Sequence, residues 1–133
     1  MRRPKLLLYT PLAHKASYRL EEAVATVVPH QATEIVHTPK GLAHRLRRPH
    51  YGLEVVVLLA AGRRSLREMQ ALEQMLERLR LILILPDSDP RTIAQAHSLR
   101  PRYLSNIHSD FQDVAAVLKK MLAIPELPLE YGP

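Results

Sequence analysis

Two carboxylates stand two residues apart at Asp87 and Asp89, a pairing that can divide acid and base work or help hold a divalent cation. The same residues suit a turn entering a helix, with Asp87 in the turn, Asp89 as N-cap and Pro90 at the first helical position. The seven histidines are scattered. His14 and His108 could reach one crevice, while His44 and His50 sit in a basic stretch, and no pair has helical i, i+4 metal spacing. A zinc site needs three or four converging ligands, so no metal is expected. Ser17 and Ser105 lack the glycine-framed elbow of a serine nucleophile. The segment Thr10-Pro11-Leu12-Ala13-His14-Lys15 contains no glycine, so its amides have no ready approach to a phosphate. The Thr10 hydroxyl and Lys15 could still touch one, but a structural turn is the simpler role, and no cofactor is expected. The absence of cysteine removes disulfides, thiolate metal ligation and thiol nucleophiles, and fits a reducing compartment.

Basic residues form the other candidate chemistry. The formal net charge is +6, and the densest clusters are Arg45, Arg47 and Arg48 in one segment and Arg63, Arg64 and Arg67 in another. Brought onto one face, these would make a patch for an acidic surface or a nucleic acid. Phe111 and five tyrosines are too few to interleave with them as stacking platforms, so such contact would be electrostatic and salt-sensitive. A solvated, arginine-rich surface is the plainer account of the same charge.

The elements that must position these residues alternate regularly. Apolar runs at 5–10, 33–37, 53–60, 81–85 and 102–107 read as strands. The runs 53–59 and 81–85 are continuous rather than alternating, as in strands of a parallel sheet covered on both faces. The run 33–37 is more polar and suits a sheet edge. Between the runs lie helical segments: 15–28, closed by Pro29; a short one capped by Thr38 with Pro39; 65–80; one entered through Asp89-Pro90; and one after Asp110. In the segment 65–80, Leu66, Met69, Leu72, Met75, Leu76 and Leu79 supply the apolar face, and Ser65 with Glu68 reads as a capping box. The 133 residues suit a single domain over 1–123 followed by a proline-rich tail over 124–133. The apolar run Leu6-Leu7-Leu8 is too short for a membrane span or a signal-peptide core, and a cytoplasmic protein is expected.

Five strand–helix units predict an α/β doubly wound five-stranded parallel sheet of flavodoxin-like order 2-1-3-4-5. Ligands of such sheets bind beyond the carboxyl ends of the strands. The residues there are Tyr9-Thr10-Pro11, Ala60-Ala61-Gly62-Arg63, Pro86-Asp87-Ser88-Asp89 and Ser105-Asn106-Ile107-His108.

Residues 5–122 resemble a response-regulator receiver domain in the spacing of all five units, above all in Arg102-Tyr103-Leu104-Ser105-Asn106 followed by Asp110-Phe111 and an amphipathic helix. The resemblance implies an acidic pair after the first strand to hold magnesium, a phosphate-accepting aspartate after the third, a hydroxyl after the fourth and a lysine after the fifth. Here those positions carry Tyr9 and Thr10, Leu59 or Ala60, Pro86 (or Leu85), and Asn106. Neither Tyr9 nor Thr10 offers a hard cation a negative charge, and Asn106 has no charge to pair with a phosphoryl group.

The expected function is therefore that of a pseudo-receiver: a phosphorylation-independent regulatory domain, not an enzyme, working through a protein partner or as a homodimer. The resemblance implies a contact surface over 92–122, with Arg100, Arg102, Tyr103, Lys119 and Lys120 as exposed polar members. The alternative from another class is a nucleic-acid-binding module using the six arginines. A nucleotide binder or enzyme built on Thr10, Asp87 and Asn106 ranks behind both, for want of a coherent catalytic set.

Overall fold

The computed structural model describes residues 4–122; the proline-rich segment over 124–133 lies outside the described residues. Leu6–Tyr9 (β1) sits between Thr33–Val36 (β2) and Val55–Leu59 (β3), followed by Arg80–Leu85 (β4) and Tyr103–Asn106 (β5). The sheet is parallel throughout, in the order β2-β1-β3-β4-β5. The expected topology is thus found, with the more polar runs at the two edges.

The continuous apolar character of the inner strands follows from the helices packed on both faces. Leu6, Leu8, Val55, Val57, Ile82 and Ile84 meet Lys15–Ala25 (α1) and Gln112–Met121 (α6). The alternate residues Leu7, Tyr9, Val56, Leu58, Leu81 and Leu83 meet Pro39–Arg47 (α2), Arg63–Gln70 (α3), Glu73–Leu76 (α4) and Pro90–His97 (α5). A strand residue on either side must therefore be apolar, and each such side chain removed from water contributes roughly 1.5–3 kcal/mol.

Thr38 caps α2 by accepting from the Gly41 amide at 2.9 Å, and Asp89 caps α5 by accepting from the Arg91 amide at 2.8 Å. Two expectations need correction. α1 ends at Ala25, short of residue 28, with the Thr26 hydroxyl donating to the Ala23 carbonyl. The segment 65–80 is not one helix, and its capping box does not form. α3 starts at Arg63 behind Gly62, which gives no side-chain cap, so Ser65 already lies inside the helix. The chain then breaks at Ala71 and Leu72 before α4. Steps of three residues fall about 60° short of a full turn, so a straight helix would carry the later apolar residues away from the sheet. The break resets the phase and keeps Leu66, Met69, Leu72, Leu76 and Leu79 all buried.

Candidate functional site

The carboxyl ends of β1 and β3 meet at the switch point of the sheet, where the two flanking strands lead to helices on opposite faces. Tyr9 and Thr10 are adjacent there and point to different layers. Thr10 is fully buried; its hydroxyl donates to Glu21 of α1 at 2.5 Å and lies 3.4 Å from His37 Nδ1. His37 Nδ1 also lies 2.9 Å from the Thr10 carbonyl oxygen. Thr10 thus ties β1 to α1 and to the residue following β2. Tyr9 turns to the α2/α3 face, where burial first and the Glu68 carboxylate second push its phenol above the ordinary tyrosine value.

Leu59 and Ala60, at the end of β3, are fully buried on the α1/α6 and α2/α3 faces respectively. The Ala60 amide donates to the Ile84 carbonyl at 2.9 Å, so this position continues the ladder with β4. Pro86 is half-buried beyond β4. The Asn106 amide nitrogen donates to Ser88 at 3.3 Å and its side-chain oxygen accepts from the His108 amide at 3.0 Å. Asn106 therefore braces the β4 and β5 loops. Thr10, Asp87 and Asn106 have separate partners and form no common constellation.

Asp87 accepts from the Asp89 amide at 2.9 Å, and Asp89 caps α5 while pairing with Arg63 at 2.8 Å and Arg91 at 3.2 Å. Hydrogen bonds from the Arg91 side chain and amide lead the causes that hold the Asp89 carboxyl below its ordinary value. Both aspartates are turn and cap residues. His14 likewise caps α1, its Nδ1 accepting from the Ala16 amide at 3.0 Å. Among the described residues, no three His, Asp or Glu side chains form a group able to hold a metal ion.

The six arginines do not make one exposed patch. Arg45 is buried: its guanidinium donates to Glu34 Oε1 at 2.8 Å, joining α2 to the edge strand β2. Arg63 is half-buried against Asp89 and donates to Thr92 at 3.1 Å. Arg47, Arg48, Arg64 and Arg67 remain exposed. Burial under α2 and the nearby acids Glu34 and Asp89 divert two of the six, which linear spacing does not reveal.

On the other proposed surface Arg100, Arg102, Lys119 and Lys120 are exposed, but Tyr103 is only half-exposed. Its hydroxyl donates to Asp113 of α6 at 2.9 Å, and that hydrogen bond, followed by burial, raises the phenol. Asp113 also accepts from Ser105 at 2.8 Å and Ser109 at 2.7 Å. Burial alone would raise the Asp113 carboxyl. Hydrogen bonds from Ser109, Ser105, Tyr103 and the Val114 amide outweigh it and hold the group below its ordinary value. Arg19 of α1 donates to the Ile107 carbonyl, and to the Ser109 carbonyl at 3.2 Å, while its guanidinium lies 5.0 Å from the centre of the Phe111 ring. Asp113 is the acidic residue in the first turn of α6. Its serine partners four and eight residues earlier were visible, but only the return of α6 beside β5 brings them together.

No family model matches the chain, and the comparison with curated proteins returned no match. Solved structures do match. The signal receiver domain of an HD domain-containing protein from Pseudomonas fluorescens superposes with a TM-score of 0.68 at 20% identity, covering 92% of this chain and 96% of that one. The phosphorylated cyanobacterial phytochrome response regulator RcpA gives a TM-score of 0.61 at 17% identity, with coverages of 94% and 99%. A protein described as pilus assembly-related, from Burkholderia pseudomallei, gives 0.62 at 15%, with coverages of 93% and 92%. Together with the parallel sheet of order 2-1-3-4-5, these similarities show that the chain has the flavodoxin-like fold of receiver domains.

Proposed function

We propose that the chain is a phosphorylation-independent pseudo-receiver, a cytoplasmic regulatory domain of signal transduction that acts by contact with a protein partner or with a second copy, without catalysis. One observation carries the reading: a receiver fold whose strand ends present Tyr9, Thr10, Ala60, Pro86 and Asn106, with Ala60 fully buried and hydrogen-bonded into the sheet. Phosphoryl transfer requires an accessible nucleophile and charge to neutralise the oxygens of the transferred group. Ala60 has no nucleophilic atom, and Asn106 uses its amide to brace loops.

The resemblance to receivers favours α5, β5 and α6 as the contact surface, presenting Arg100, Arg102, Lys119 and Lys120. Such a surface suits an acidic partner. The experiment is light scattering over a range of salt, with beryllofluoride and magnesium as a phosphoryl mimic in a parallel series. A dimer that persists in high salt and ignores the mimic is the expected result. A change of mass on adding the mimic would show a working acceptor and overturn the reading. A monomer throughout would restrict the proposal to an external protein partner. Salt-dependent DNA or RNA binding lost on replacing Arg47, Arg48, Arg64 and Arg67 with alanine would replace it with the nucleic-acid reading.

A further inference from the structure

On the α2/α3 face of the switch point, Tyr9 carries a polar group to the wall of a cavity. Tyr9 is 4% exposed as a residue, but its hydroxyl, which bonds to no described group, is not a buried atom and reaches accessible space. It lines a cavity of about 100 Å³ walled by Leu42 and Ala43 of α2 and Met69 of α3. Ser65 and Glu68, one turn apart on α3, line the same cavity. Glu68 is exposed and makes no ion pair among the described residues. The displaced start of α3 matters here, since it leaves Ser65 and Glu68 free of the capping roles their spacing suggests.

The chemistry of these groups narrows the ligand. The walls are apolar, and the polar atoms are two hydroxyl oxygens and one carboxylate. All three can accept a hydrogen bond, and only the carboxylate is charged. An anion would meet Glu68 and be repelled, whereas an ammonium carries three donors for three acceptors and the complementary charge. Size sets a second limit: an apolar cavity of about 150 Å³ accepts benzene, so a half-open cavity of this volume takes a body of about six carbons at most.

We propose that this cavity binds a small primary amine, its hydrocarbon body lying between Leu42, Ala43 and Met69 and its ammonium group held by Glu68, Tyr9 and Ser65. The site is independent of the contact surface on α5, β5 and α6, so a ligand here could be present whichever partner the domain binds.

The test is a methyl NMR titration of the full chain with n-butylamine, using n-butanol and butyrate as shape-matched neutral and anionic comparators. n-Butylamine should shift the Met69 and Leu42 methyl signals saturably, with butyrate causing no shift and n-butanol binding at least threefold more weakly. Glu68→Gln, a change at an exposed position, should weaken n-butylamine about tenfold, and Ala43→Leu should block it by filling the cavity. Absence of saturable shifts, equal binding of the alcohol or the acid, or an unchanged affinity in Glu68→Gln would each overturn the proposal.

Discussion

The corner joining β5 to α6 and the crevice over β1 and β3 lie at the same end of the sheet and use polar residues in opposite ways. At the corner, Asp113 gathers Tyr103, Ser105 and Ser109, the Phe111 amide donates to the Ser109 hydroxyl at 2.9 Å, and Arg19 closes the loop from α1. In the crevice, Ala60 and Pro86 offer no polar side chain, and the Tyr9 hydroxyl has no hydrogen-bond partner among the described residues. Dense reciprocal hydrogen bonding makes a joint rigid, because every group would lose a partner if the geometry changed. A sparse crevice makes no such demand and leaves room for something from outside the chain. In this fold, hydrogen-bonded side chains are concentrated where they hold the β5–α6 corner.

The largest break in that contrast should come from Phe111. Its side chain is fully buried and its backbone has φ 65°, a left-handed conformation costly for a bulky residue. Phe111→Ala should cost about 3–5 kcal/mol in denaturant unfolding, from lost packing and lost contact with Arg19. A loss below about 1 kcal/mol would mean that the corner is not the joint described.

A middle-sized effect is expected at Asp113. Asp113→Ala leaves three hydroxyls without their acceptor, one of them on the buried Ser105, and should cost about 2 kcal/mol. The pH dependence has a definite sign. The folded-state pKa is lowered, so the stabilisation is fully present above about pH 4, the unfolded carboxyl range, and is lost as pH falls through the lower folded value. Unfolding followed from pH 6 to pH 2 should show this loss in the parent chain and a shallower slope in Asp113→Ala.

The smallest effect sharpens the other side. Tyr9→Phe removes a hydroxyl with no hydrogen-bond partner among the described residues, so stability should change by no more than about 0.5 kcal/mol. A large destabilisation would reveal a partner for the hydroxyl within the fold and weaken the case for a ligand there.

Much of the architecture was legible because it rests on local rules. Period-two burial on both faces shows as the uninterrupted runs 53–59 and 81–85, and Thr38-Pro39 and Asp89-Pro90 announce two helix starts by chemistry that acts within four residues. The segment 65–80 misled because Ser65 and Glu68 fit a cap pattern while the helix starts earlier, at Arg63 behind Gly62. Its six apolar residues also look like one stripe until the accumulating phase error is counted. The sites were less legible. Arg45 sits among exposed basic residues in the chain, and only the packing of α2 against β2 commits it to Glu34.

Residue types alone determined that five strand–helix units wind into one parallel sheet and which side chains stand at the strand ends, since composition and periodicity are local properties. Tertiary structure alone decided which neighbours meet. It turned Tyr9 toward a cavity and Thr10 toward Glu21, drew residues from β5, its loop and α6 onto Asp113, and split the arginines between ion pairs and solvent. Those pairings depend on the register of strands and the seating of helices across long sequence separations, which no short pattern encodes.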